Sequence, residues 1–182
     1  KPGFVGIPAG PEVCIMDANS KILNQGEEGE VCIRGENVTS GYENNPDANK
    51  NSFSNGWFRT GDQGYFDKDG YLKISGRLKE IINKGGEKIS PLEVDNILMD
   101  HPNIEQAVCF GYEDKMLGED IATAIIIKEG MKCTEDDIKI YANEKLAKFK
   151  IPKKIFFVNE IPKGATGKLQ RNTLAKKFGL VN

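Results

Sequence analysis

The chain has 182 residues, 38% of them hydrophobic and 29% charged, and its 25 Lys/Arg against 27 Asp/Glu leave a net charge of −2. These proportions are ordinary for a globular protein of one large or two small domains. No window approaches 18 consecutive apolar residues, which excludes an apolar helical membrane span.

The first residues, Lys1-Pro2-Gly3-Phe4, carry no initiator Met and no signal-peptide core, and read as a cut inside a longer protein. Residues 1–76 are punctuated by Gly, Asn and Asp. Glu12-Val13-Cys14-Ile15-Met16 and Glu30-Val31-Cys32-Ile33-Arg34 are strand candidates separated by turn chemistry. Gly64-Tyr65-Phe66-Asp67 and Tyr71-Leu72-Lys73-Ile74-Ser75 flank Lys68-Asp69-Gly70 and predict a hairpin. The expectation is a small antiparallel β-rich subdomain, too thin to be an independent enzyme.

From about residue 79 the pattern becomes mixed. Ser90-Pro91-Leu92-Glu93 predicts a helix start with Ser as N-cap, Pro at the first helical position and Glu closing a capping box. Val94, Ile97 and Leu98 supply its apolar face. Strands follow around 105–112 and 121–128. Thr134-Glu135-Asp136-Asp137 opens a second helix with acids at its positive end, and Ile138, Tyr141, Leu146 and Phe149 are read as its stripe, ending before Pro152. Residues 154–158 predict another strand, 163–167 a glycine-containing loop and 169–178 a short basic helix. The fold class is α+β: the β-rich subdomain (1–78) followed by a compact C-terminal α+β domain (79–182).

The four cysteines, Cys14, Cys32, Cys109 and Cys133, have no CxxC spacing, so reduced thiols in a cytoplasmic protein are expected rather than a disulfide framework. His101, the lone histidine, is read as a helix-end residue; no metal site is expected. Residues 128–182 carry 13 Lys/Arg and 6 Asp/Glu, the rest 12 and 21. The basic last third suggests an anionic ligand without naming it.

Three segments carry candidate chemistry. In Gly56-Trp57-Phe58-Arg59-Thr60-Gly61-Asp62, the acid after a glycine can present both oxygens to paired hydroxyls, as acids do on ribose; Asp62 can equally be a turn residue. In Ser75-Gly76-Arg77-Leu78-Lys79-Glu80-Ile81-Ile82-Asn83-Lys84-Gly85-Gly86, the glycine pair lets a thin ligand approach the main chain, or simply makes a tight turn. In Pro162-Lys163-Gly164-Ala165-Thr166-Gly167-Lys168-Leu169-Gln170-Arg171 the spacing is GxxGK, not a Walker A loop. It leaves Lys168 on a glycine loop as a deliverable point charge or as a solvated surface lysine.

Taken together, and in this order, the three segments resemble the adenylate-forming superfamily of acyl-CoA synthetases, luciferases and peptide-synthetase adenylation domains. The resemblance runs from Lys1-Pro2-Gly3 through Gly35-Glu36-Asn37-Val38-Thr39-Ser40-Gly41-Tyr42 to the final basic helix. Gly85-Gly86-Glu87-Lys88-Ile89-Ser90-Pro91 and Ala147-Lys148-Phe149-Lys150-Ile151-Pro152 look most like oxalate–CoA ligases. What the resemblance implies is an ATP-dependent, AMP-forming acid–CoA ligase using Mg2+, coenzyme A and a small carboxylic acid. Residues 1–78 would end the large AMP-binding domain, and 79–182 would form a mobile lid. Asp62 and Arg77 would hold ATP or AMP, Lys168 would be catalytic, Lys79 the hinge, and Gly85 and Gly86 the border of the CoA channel. Asn83 stands where several relatives carry Lys and gets no CoA contact. The phosphate loop, adenine segment and acyl pocket are expected in a missing N-terminal domain, so the fragment alone is expected to be inactive.

Beside a ligase for another small, aromatic or fatty acid, two rivals are weighed: an adenylation module that loads a carrier protein, and a non-enzymatic binding module, either a nucleotide sensor or a nucleic-acid binder. A module loading a carrier protein would need a carrier domain. A nucleic-acid binder built on Lys148, Lys150, Lys153, Lys154, Lys176 and Lys177 would need aromatics for stacking, and that end has few. No nucleic-acid partner is expected. The residues Gly179-Leu180-Val181-Asn182 are not a Ser-Lys-Leu address.

Overall fold

Five antiparallel strands build the first of two units into which the chain divides, Lys1–Lys79 and Glu80–Asn182. The computed structural model describes residues 1–164, 167 and 169–180. The α+β class is as expected, with antiparallel strands leading and helices following.

In the first unit, β1 (Glu12–Met16), β2 (Gly29–Arg34), β3 (Phe53–Ser54), β4 (Trp57–Phe66) and β5 (Leu72–Arg77) are joined in the order β1-β2-β4-β3, with β5 also on β4. Alternation sends Cys14, Met16, Cys32 and Trp57 to one cluster and Ile15, Val31 and Leu72 to another, as a period of two requires. Cys14 sits opposite Cys32 in register, and both thiols are free. Burial pushes the Cys32 thiol up to about 12, with the neighbouring Glu30 charge adding to it, so it stays protonated and unreactive. The hairpin at 64–75 forms as expected. An unforeseen helix, α1 (Pro46–Ser52), precedes β3: the Asn45 side chain accepts from Ala48 N at 3.1 Å, and Pro46 opens the helix. It buries no residue, so it has no apolar stripe to read.

The second unit is a sheet ordered β10-β9-β6-β7, with β8 paired to β9. Its strands are β6 (Ile82–Lys84), β7 (Glu87–Ile89), β8 (Ile104–Asp114), β9 (Gly118–Ile127) and β10 (Lys154–Phe157). Among the described residues only β10 runs parallel to its neighbour in this sheet. The helices are α2 (Pro91–Met99), α3 (Glu135–Lys145) and α4 (Arg171–Lys177). β9 is apolar on both faces because both are covered. Ile121 and Ile125 join Val94, Leu98, Ile138 and Ala142 from α2 and α3; Ala122 and Ala124 join Leu174 and Ala175 from α4. No helix among the described residues is long and apolar enough to cross a membrane.

Two helix-end expectations are corrected. Ser90 is the N-cap of α2 with Pro91 next, but its side chain makes no capping bond. Glu93 is drawn instead to Lys150, whose Nζ lies 2.7 Å from its carboxylate. The capping box forms at α3, where Thr134 Oγ1 accepts from Asp137 N and Asp137 Oδ2 accepts from Thr134 N at 2.9 Å. That helix is also shorter than its stripe suggests. Leu146 is already extended (φ −117°, ψ 151°), and Phe149 falls in a separate 3-10 turn, Lys148–Lys150, 37% exposed. Ile151 is extended too, as a residue before proline prefers.

Candidate functional site

Strand irregularity places Asp62. Between β2 and β4 the register steps from Glu30↔Gln63 to Cys32↔Arg59, so Thr60, Gly61 and Asp62 bulge out opposite Val31 alone. A second shift, between Gln63 and Gly64, interrupts the pairing of β4 with β5. Bulges of this kind re-aim side chains. Within the bulge, Thr60 Oγ1 donates to the Val31 carbonyl at 2.8 Å and accepts from Asp62 N at 3.1 Å. Gly61 has φ +75°, open space where a Cβ would stand, and an N–H that donates to Glu30 Oε1 at 3.0 Å.

The carboxylate that results faces Arg77. The two residues are paired in register across β4 and β5, and Arg77 Nε lies 2.8 Å from Asp62 Oδ1. Asp62 is about a quarter exposed and Arg77 about half, so both remain reachable from solvent. The structure thus brings together two of the residues singled out in the sequence.

Lys79 is exposed and lies within a 3-10 turn, Leu78–Glu80. The next residue, Glu80, is anchored: Arg171 Nε donates to its Oε2 at 3.0 Å. Gly85 and Gly86 occupy the two-residue turn between β6 and β7, with φ +60° and +97°. Positive φ at both central positions is the type I′ hairpin requirement, and it explains two glycines there. The Gly85 N–H donates to the Leu117 carbonyl at 2.8 Å, which ties this turn to the β8–β9 turn. Lys168, read as the deliverable cation, lies outside the described residues.

Buried charge was missed by the sequence reading. Glu30 is 7% exposed and pairs with Arg59, whose Nε donates to Oε2 at 2.7 Å. In the second unit, Asp95 is 3% exposed and meets Arg171 Nη2 at 2.6 Å. Asp120, 1% exposed, meets Lys84 Nζ at 2.5 Å and Lys153 Nζ at 3.4 Å. The available signal was a charged residue set inside or beside an apolar run, as in Asp120-Ile121-Ala122. Among the described residues, no group of three or more His, Cys, Asp or Glu is placed to hold a metal ion.

The unit that holds Lys84–Asp120 and the glycine turn has a recognised class. Residues 93–168 match the family described as the AMP-binding enzyme C-terminal domain. Over 178 residues, 98% of its length, the chain is 53% identical to the oxalate–CoA ligase of Arabidopsis thaliana, covering 35% of that enzyme. It is equally 53% identical over 180 residues to the oxalate–CoA ligase of Saccharomyces cerevisiae, covering 33% of it. The o-succinylbenzoate coenzyme A synthetase of Bacillus subtilis, solved in complex with ATP and magnesium ion, superposes with a TM-score of 0.84 at 37% identity. That match covers 96% of this chain and 36% of the other. The chain belongs to the adenylate-forming superfamily and spans about a third of the length of the relatives it matches.

Proposed function

We propose that this chain is the C-terminal part of an ATP-dependent, AMP-forming acid–CoA ligase, with oxalate as its acid. The observation that carries the proposal is the 53% identity to two oxalate–CoA ligases, from a plant and a yeast, along 98% of the chain. The reaction joins a carboxylate, ATP and CoA into acyl-CoA, AMP and pyrophosphate. On this reading residues 1–78 complete a large AMP-binding domain begun upstream, and 79–182 form the lid. The division of the chain after Lys79 supports that boundary. The acyl pocket and phosphate loop lie upstream.

Asp62 accepts hydrogen bonds from the ribose hydroxyls. Arg77, holding one carboxylate oxygen at 2.8 Å, fixes the plane of the group and adds a positive charge beside it. Lys168 contacts the attacking carboxylate and the α-phosphate, two anions that repel each other, and stabilises the charge on the transferring group. ATP would arrive as its Mg2+ complex, the ion supplying charge shielding on the phosphates. The lid then turns about Lys79, which withdraws Lys168 and brings the Gly85-Gly86 turn to line the path of the CoA thiol. Adenylation needs a cation and thiolation an open passage, and a few hinge residues suffice for the exchange. A cytoplasmic location is part of the proposal, supported by four free cysteines.

Acid-dependent ATP–pyrophosphate exchange by the full-length protein tests it, across oxalate, malonate, acetate, coumarate and a medium-chain fatty acid. Exchange with oxalate alone is expected. Exchange with another acid keeps the ligase and discards oxalate; no exchange with any acid overturns the reading.

A further inference from the structure

We infer that Glu30 and Arg59 are positioning residues for the Asp62 carboxylate, acting through the backbone of the Thr60–Asp62 bulge. The inference rests on the reading of Asp62 as the ribose acceptor.

A carboxylate inside a sheet is costly to bury, and Glu30, at 7% exposure, is retained only with its lone pairs satisfied. Its two oxygens are divided. Oε2 takes the Arg59 guanidinium, and Oε1 takes the Gly61 N–H at 3.0 Å. That N–H belongs to a residue the β2–β4 ladder skips, between the pairings of Gln63 and Arg59. Glu30 therefore stands in for the missing strand partner at the residue immediately before Asp62.

Thr60 secures the other side of the bulge. Its hydroxyl spans from the Val31 carbonyl to the Asp62 N–H. Arg59 is itself held: Nη1 donates to Ser20 Oγ at 3.2 Å, and its side chain is 20% exposed. The order of dependence runs from Ser20 and Arg59 to Glu30, from Glu30 to the left-handed Gly61, and from Gly61 to the direction of the Asp62 side chain. Neither Glu30 nor Arg59 needs to touch the nucleotide. Each acts by fixing a peptide plane, and hydrogen bonds to charged groups are the stronger kind for that task.

The test compares ATP with 2′,3′-dideoxy-ATP in acid-dependent pyrophosphate exchange by the full-length protein, because only ATP offers the hydroxyls. Removing Asp62 (Asp62→Asn) collapses the preference for ATP. Glu30→Ala is expected to lower that preference on the order of tenfold, with a smaller loss for the dideoxy nucleotide, and to raise the KM for ATP more than it lowers kcat. The paired variant Glu30→Gln/Arg59→Met keeps a neutral acceptor for the Gly61 N–H without stranding a cation. It is expected to lower the preference by less than Glu30→Ala does, because a neutral amide oxygen that Arg59 no longer fixes holds the Gly61 N–H more weakly than the carboxylate, and it supplies the measurement if Glu30→Ala fails to fold. Equal losses for both nucleotides in Glu30→Ala, or in the paired variant where that is the one measured, overturn the inference and leave the ribose reading intact. An unchanged preference in Asp62→Asn overturns the ribose reading itself, and the inference with it.

Discussion

Arg171 and Asp95 together close the free edge of β8 at Cys109. Asp95 Oδ1 accepts the Cys109 N–H at 2.6 Å, Arg171 Nη1 donates to the Cys109 carbonyl at 2.9 Å, and the two side chains meet at 2.6 Å. Among the described residues β8 pairs only with β9, so its outward backbone groups would otherwise go unpaired, as at any exposed strand edge. Side chains from α2 and α4 fill the role of a sixth strand at that residue.

The first prediction concerns this clasp. Burial holds the Asp95 carboxyl above the usual carboxylate range, and the Arg171 charge works against that shift without cancelling it. Arg171→Met leaves the buried carboxylate without its counter-charge, a change that typically costs about 3–5 kcal/mol. Because the folded-state pKa is raised, the folded protein binds the proton more readily than the unfolded chain. The Asp95 contribution therefore becomes less favourable as pH rises above the ordinary value of about 3.9. Hydrogen exchange of the β8 amides in the full-length variant is expected to speed up more at pH 8 than at pH 5. Adding Asp95→Asn should recover part of the loss. A deficit independent of pH would remove Asp95 from the account.

A second prediction concerns the β8–β9 turn, where the pH dependence has the opposite sign. Asp114 is held down to about 2 by the Met116 N–H, the Lys153 ammonium and the Leu117 N–H, which lie at 3.0, 3.0 and 3.1 Å. A depressed carboxylate stabilises the fold above its unfolded value of about 3.9 and loses that contribution as pH falls toward 2. Asp114→Asn is expected to speed exchange at Met116 and Leu117 at pH 6, and to differ little from the parent at pH 2. Since Leu117 also receives the Gly85 N–H, the loosening should extend to the β6–β7 turn.

These relationships bear on what could be read in the sequence. Runs with clean periodicity were legible: β1 was read to the residue, the 64–75 hairpin formed, and β8 and β9 appeared within a few residues of expectation. The first half of β4 was not read as strand because its bulges break the alternation that marks a strand. The β6–β7 hairpin was hidden by its length, three residues to a side, and was read only as a tight turn. At the candidate site, Asp62 and Arg77 were both named, yet nothing in their spacing says that they pair. The charged supports, Glu30, Arg59, Asp95 and Arg171, escaped because their partners lie 14 to 91 positions away in sequence, beyond any local pattern.

The third prediction is for the proposed hinge. On the proposed reading the lid turns at Lys79, next to Glu80, whose side chain is held by Arg171. Lys79→Pro fixes φ near −65° and also biases Leu78 away from helical angles, narrowing the arrangements the junction can adopt. In the full-length protein, one half-reaction is expected to fall far more than the other when adenylation and thiolation are assayed separately. Parallel, modest losses would take Lys79 out of the hinge role.

The last prediction separates the two half-reactions at Lys168. If this lysine offsets the repulsion between carboxylate and α-phosphate, its charge matters only while those two anions are brought together. Removing one such electrostatic contact commonly costs on the order of 10²–10³ in rate. Lys168→Ala in the full-length protein is therefore expected to cut acyl-AMP formation by at least that factor, measured as acid-dependent pyrophosphate exchange. Thiolation of supplied acyl-AMP should continue at close to the parent rate, because the thiol displaces AMP without needing that cation. Equal loss in both steps would show that Lys168 serves the protein in some way common to both, and the exchange of a cation for an open thiol path would have to be abandoned.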